Sequence, residues 1–191
     1  MSSNFKAIVI GTSTGGLSAL PAVLSPLMED FPLTILIVQH LSAHSDDFMV
    51  RHLRKFCDLE VLGAEDKMDT RAGCIYIAPP NYHLMVEEEG TLALSISPPV
   101  HFSRPSIDVL FETAADAWQE QLIGIILTGA NSDGTSGVKK IKERGGHVLV
   151  QDIATAEAET MPASASEFAD MILPLDQIGN YLNNLVQNKT S

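Results

Sequence analysis

Three residues of this sequence, each placed just after a short apolar run, have side chains that could act together on an acyl group. They are Ser13 in Gly11-Thr12-Ser13-Thr14-Gly15-Gly16, His40 in Gln39-His40, and Asp133 in Thr128-Gly129-Ala130-Asn131-Ser132-Asp133-Gly134. A neutral serine hydroxyl needs a base before it attacks a carbonyl carbon. An imidazole, with an unperturbed pKa of about 6.5, accepts that proton at neutral pH. A carboxylate behind the imidazole holds its tautomer and stabilises the imidazolium. Gly-Thr-Ser-Thr-Gly between a strand and a helix also has the form of a nucleophile elbow, with the N–H groups at the start of the helix Gly15–Met28 facing any negative charge that develops. The chain order is Ser, His, Asp, whereas α/β-hydrolases run Ser, acid, His.

Simpler readings compete at each position. A Gly-rich strand–helix turn also suits phosphates or dinucleotides, yet no Lys follows these glycines and the G-x-G-x-x-G spacing is missing. The acid expected about 20 residues further on falls near Glu29 and Asp30, before the second strand and not at its end. His40 alone is a strand-end residue, and Asp133-Gly134 alone is a turn or helix cap. The conjunction on one sheet edge favours hydrolysis. His44 and His52 belong in or beside a helix, His101 to an exposed segment, and His147 to a strand; His83 either lines the cleft or opens its hairpin. No His-x-x-x-His or clustered Cys/His spacing supports a metal, and no cofactor is implied.

These residues need elements to bring them together. Short β-branched runs alternate with helical-period stretches: Lys6–Ile10, then a helix carrying Leu17, Leu20, Val23, Leu24 and Leu27; Thr34–Val38, then a helix over Phe48–Phe56 introduced by Ser45, Asp46 and Asp47. In the middle, Glu60–Leu62 and Cys74–Ala78 read as strands and His83–Ile96 as a hairpin with a Gly-containing turn. Ser106 is an N-cap for a helix to Trp118. Leu122–Leu127, a helix Val138–Arg144 closed by Gly145-Gly146, a strand His147–Gln151, a strand Met171–Leu173 and a helix Gln177–Gln187 complete the pattern. Strands apolar on both faces and joined by helices predict a doubly wound α/β fold. Its sheet is mostly parallel, with helices on both faces and an inserted β-hairpin. In such sheets ligands collect beyond the carboxyl ends of the strands, where the loops of Ser13, His40 and Asp133 fall.

Composition narrows the function classes. A chain of 191 residues with 45% hydrophobic residues is most simply one domain, residues 1–191. Twelve basic against twenty-four acidic residues give a net charge of −12, which repels a nucleic-acid backbone. No apolar run is long enough for a membrane helix or a signal peptide, so the expected location is the cytoplasm, without membrane insertion. Cys57 and Cys74 read as two buried free thiols.

Ala7–Gly16 (AIVIGTSTGG), Val38–His40 (VQH), Tyr76–His83 (YIAPPNYH), Arg104–Phe111 (RPSIDVLF), Leu127–Gly134 (LTGANSDG) and Gly145–Asp152 (GGHVLVQD) closely resemble the catalytic domain of the chemotaxis protein-glutamate methylesterases, the CheB type. The motifs run in order over nearly the whole chain. The resemblance implies a serine hydrolase that removes methyl groups from glutamate γ-methyl esters on chemoreceptor cytoplasmic helices. Methanol is released, and in some relatives receptor glutamines are deamidated. It implies Ser13, His40 and Asp133 as the triad, with oxyanion donors near Thr14 or Ala130. Three positions depart from the family. No receiver domain precedes the first strand, so activity is expected to be constitutive or controlled by a separate regulatory receiver protein. Ala130 stands where Met is common at the oxyanion position, although any non-Pro residue keeps the backbone N–H donor. Thr160 replaces the Gly before Met-Pro. These changes motivate one alternative, a non-catalytic protein-binding relative of the same fold.

Overall fold

The computed structural model describes residues 4–40 and 47–187. Strand β1 (Ala7–Thr12) is buried along its whole length: Ala7 and Val9 face one core, Ile8 and Ile10 the other. A strand that is apolar on both faces is stable only between two layers, and the remaining parallel strands build the same sandwich. They are β2 (Thr34–Gln39), β3 (Glu60–Gly63), β4 (Cys74–Ile77), β7 (Leu122–Ile126), β8 (His147–Gln151) and β9 (Met171–Leu173). The sheet order is β3-β4-β2-β1-β7-β8-β9 with every pairing parallel. Strands β5 (His83–Val86) and β6 (Leu92–Ser95) form the separate antiparallel hairpin, pairing His83 with Ser95. The doubly wound architecture with its inserted hairpin is the one expected.

Helices α1 (Gly16–Leu24), α2 (Phe48–Leu53) and α6 (Leu175–Gln187) cover one face. Helices α3 (Ile107–Trp118), α4 (Thr135–Glu143) and α5 (Thr160–Ala165) cover the other, together with the hairpin. Among the described residues no helix is long and apolar enough to cross a membrane. Ser45 and Asp46, expected to introduce α2, and His44 lie outside the described residues.

Three local expectations are corrected. Helix α4 begins at Thr135, earlier than Val138, because the buried Asp108 carboxylate accepts the Gly137 N–H at 2.7 Å and satisfies its first turn. Helix α5 was not expected; it forms because Met161 and Ala165 bury against the core beside β7 and β8. Only Cys74 is fully buried, whereas Cys57 is half-buried.

From β1 the chain moves to β2 on one side, while β7, on the other side of β1, leads outward to β8 and β9. The carboxyl ends of β1 and β7 therefore border the crevice where ligands gather in such sheets. In register, Thr12 pairs with Gln39 and Gly11 with Ile126, so the residues following these three strands share one rim.

Candidate active site

His40 and Asp133 meet at this rim: His40 Nε2 donates to Asp133 Oδ2 at 2.9 Å. Asp133 is completely buried. Its carboxylate also accepts the Ile107 N–H at 2.7 Å, the Asp108 N–H at 3.0 Å and the Ser106 hydroxyl at 2.9 Å. The two amides open helix α3, so the positive end of the helix dipole faces the anion. Burial alone would push the Asp133 carboxyl up. The His40 hydrogen bond and the Asp108 and Ile107 amides outweigh it, and the pKa falls below the ordinary carboxylate value. The acid is thus ionised at neutral pH and held by four donors.

The other His40 nitrogen, Nδ1, lies 3.4 Å from Asn131 Nδ2. The amide orientation is fixed, because Asn131 Oδ1 accepts the Asp133 N–H at 3.1 Å. With Nε2–H committed to Asp133, Nδ1 carries the lone pair and faces the Asn131 amide.

Ser13 follows β1 directly. Its N–H donates to Thr128 O at 3.0 Å and its carbonyl accepts the Gly16 N–H at 3.0 Å. Ser13 is not left-handed, and the sharp turn is made by a flanking glycine, Gly15, at φ 86°. A side chain is disfavoured at that φ, and glycine leaves the serine backbone unstrained. Among the described residues Ser13 Oγ makes no hydrogen bond; the main chain joins serine to histidine, His40 N–H donating to Thr12 O at 3.1 Å. The Thr14 and Ala130 N–H groups, on two loops of this rim, have no hydrogen-bond partner among the described residues.

A cleft of about 280 Å³ opens beside His40, lined by Asn81, Pro99, Phe102, Ser103, Arg104 and Pro105. Phe102 is fully exposed. Arg104 Nη1 donates to Ile96 O at 2.9 Å and Ser97 O at 3.1 Å, tying the cleft wall to the hairpin. His83 opens the hairpin and is buried: its Nδ1 accepts the Ser106 N–H and its Nε2 donates to Pro98 O. It supports α3 and does not line the cleft. His147 packs on Tyr181 far from this rim, and His52 donates to Leu17 O. Sequence reasoning gives Ser106 only as a helix cap and assigns no role to Gln39, Asp108 or Asn131. All four sit inside the quoted motifs, but their partners become visible only when the loops converge.

The CheB methylesterase family model matches residues 8–182. The chain belongs to the CheB methylesterase family. It is 50% identical, over 97% of both chains, to a Leptospira interrogans protein named "Putative protein-glutamate methylesterase/protein-glutamine glutaminase". It is 34% identical to the protein-glutamate methylesterase/protein-glutamine glutaminase of Symbiobacterium thermophilum, matching 95% of this chain and 51% of that one. The crystal structure of the Thermotoga maritima CheB methylesterase catalytic domain matches with a TM-score of 0.91 at 35% identity, covering 95% of this chain and 99% of that one. The chain therefore spans nearly all of that CheB catalytic domain and about half of the longer Symbiobacterium relative.

Proposed function

We propose that this CheB-family chain hydrolyses γ-methyl esters of glutamate side chains on chemoreceptor cytoplasmic helices, with Ser13 as nucleophile, His40 as base and Asp133 as its orienting acid. The observation that carries the reading is the His40–Asp133 hydrogen bond at the sheet rim, beside the loop that presents Ser13. His40 Nδ1 takes the Ser13 hydroxyl proton as Oγ bonds to the ester carbonyl carbon. Thr14 and Ala130 N–H groups hold the oxyanion. The imidazolium returns its proton to the departing methoxy oxygen, methanol leaves, and a glutamyl-serine ester remains. Water, deprotonated by His40, then attacks that ester; the released carboxylate is glutamate and Ser13 is regenerated. Throughout, Asp133 stays ionised and stabilises the imidazolium.

The same steps act on a γ-amide, with ammonia leaving in place of methanol, which matches the paired names of the relatives. The family match and the buried, ionised acid favour hydrolysis over a purely protein-binding role. Replacement of Met by Ala130 leaves the backbone donor in place.

The test is methanol release from methylated receptor membranes by the wild type and Ser13→Ala, with fluorophosphonate labelling alongside. We expect Ser13→Ala to fold normally, to lose labelling and to lose activity by on the order of a million-fold. Wild-type demethylation by Ser13→Ala would end the assignment.

A further inference from the structure

Ser13 and His40 share no side-chain hydrogen bond among the described residues, so what holds one against the other is what joins their backbones. One side chain touches both. Gln39, the last residue of β2 and buried, donates from its amide nitrogen to Ser13 O at 2.8 Å and to His40 O at 2.9 Å. Both amide hydrogens are used, each on the residue that carries one reacting group. With the His40 N–H bond to Thr12 O, this stitches the nucleophile loop to the base loop across the rim.

The fold makes room for this amide at a cost. A Cβ on Gly16 would lie 1.7 Å from Gln39 Oε1, so only glycine at the start of α1 admits it. Gln39 Oε1 itself is buried with no hydrogen-bond partner among the described residues. A buried acceptor without a partner is unfavourable, and an apolar side chain of the same length would avoid it. A residue that satisfies its donors on two catalytic loops while leaving its acceptor stranded is retained for placement more than for stability.

We infer that Gln39 is a positioning residue that fixes the Ser13 backbone against that of His40 through its two amide hydrogens. This rests on the proposed roles of Ser13 and His40. The amide acts before substrate binds and touches no substrate atom. Its loss therefore appears in turnover and serine reactivity, and not in affinity.

The experiment compares wild type, Gln39→Met, Gln39→Glu and Ser13→Ala in methanol release, fluorophosphonate labelling rate and thermal midpoint. Gln39→Met keeps the length and removes both donors. It is expected to lower kcat and the labelling rate together by roughly ten- to a hundredfold, with KM within about twofold and no fall in thermal midpoint. Gln39→Glu sets an acceptor against two carbonyls and is expected to be worse in kcat than Gln39→Met. Wild-type kcat and labelling in Gln39→Met, with Ser13→Ala inactive, overturns the positioning role alone. An activity loss in Gln39→Met matched by a raised KM or a lowered midpoint also overturns it, since that pattern belongs to a merely structural residue. Activity in Ser13→Ala instead removes the reading on which the inference stands.

Discussion

Two buried carboxylates, Asp133 and Asp108, lie side by side at the site and are driven in opposite directions. Asp133 collects four donors and falls below the ordinary value. Asp108 is raised to about 6: burial and the negative charges of Asp133 and Glu112 outweigh its bond from the Gly137 amide and the opposing His101. The consequences for stability differ in sign. A lowered carboxyl contributes stability above its unfolded pKa and loses it as pH falls through the folded one, so Asp133 matters for acid unfolding below pH 3.8. A raised carboxyl contributes most below its unfolded pKa and loses that contribution as pH rises, so the Asp108 window lies between pH 3.8 and about 6. Asp108→Asn keeps an oxygen for the Gly137 amide and removes the titration. Relative to it, the wild type should gain on the order of 3 kcal/mol between pH 7.5 and 4, since each pKa unit corresponds to about 1.4 kcal/mol. Denaturant midpoints of both proteins at the two pH values measure this, and parallel behaviour would refute it. Asp133→Asn presents an NH₂ group to donors that need an acceptor and leaves the His40 tautomer unsupported. We expect kcat to fall by about 10⁴-fold, with the thermal midpoint lowered as well.

At the scale of elements, the start of α3 organises the acid. Ser106 caps the helix by accepting the Val109 N–H, donates its hydroxyl to Asp133 Oδ1, and gives its own N–H to His83 Nδ1. Helix cap, acid support and hairpin attachment thus pass through one residue. Ser106→Ala should lower stability by about 2 kcal/mol. It should lower kcat only by about tenfold, which corresponds to about 1.4 kcal/mol, because the Ile107 and Asp108 amides still hold the carboxylate. Urea unfolding and steady-state methanol release report the two effects separately. The cap itself was legible: a serine before an amphipathic run marks a helix start whatever lies around it. Its second role was not legible, since a hydroxyl that reaches Asp133 across 27 positions leaves no periodic trace. Helix α5 escaped for a related reason. Thr160–Ala165 is too short for helical periodicity to register, and it is held by where Met161 is buried. Ser13, His40 and Asp133 could be picked out because each follows a recognisable strand. Asn131 and Gln39 act through polar atoms whose partners lie on other loops, and nothing in their own segments announces this.

For the whole molecule, the sequence shows that the central parallel strands are buried on both faces, since their apolar runs do not alternate. It does not show their order, because neighbours such as β1 and β7 are far apart in the chain. That order puts the β1–β7 boundary under the site and makes the sheet's fit to α3 a determinant of activity. Two glycines on these neighbouring strands test this. A Cβ on Gly11 would lie 2.4 Å from Ile107 Cγ2, on the residue whose amide holds Asp133 Oδ2 at 2.7 Å. A Cβ on Gly124 would lie 2.5 Å from Ile141 Cδ1, the far end of a side chain on α4. Both substitutions overpack one helix layer, and each Ala variant should lose about 1–3 kcal/mol of stability, Gly124→Ala the less because Ile141 can rotate. Their activities should part. Gly11→Ala pushes the first turn of α3 away from β1 and carries the Asp133 donors with it, so kcat falls by tenfold or more on the order of 1.4 kcal/mol per decade. Gly124→Ala strains a contact that leads to no reacting group, so kcat stays within about twofold of wild type, or about 0.4 kcal/mol. The measurement is kcat at a temperature where both variants are fully folded. Equal losses would mean that overpacking acts through general loosening of the fold, whereas a loss confined to Gly11→Ala traces the acid's position to the line of contact from β1 through Ile107 to Asp133.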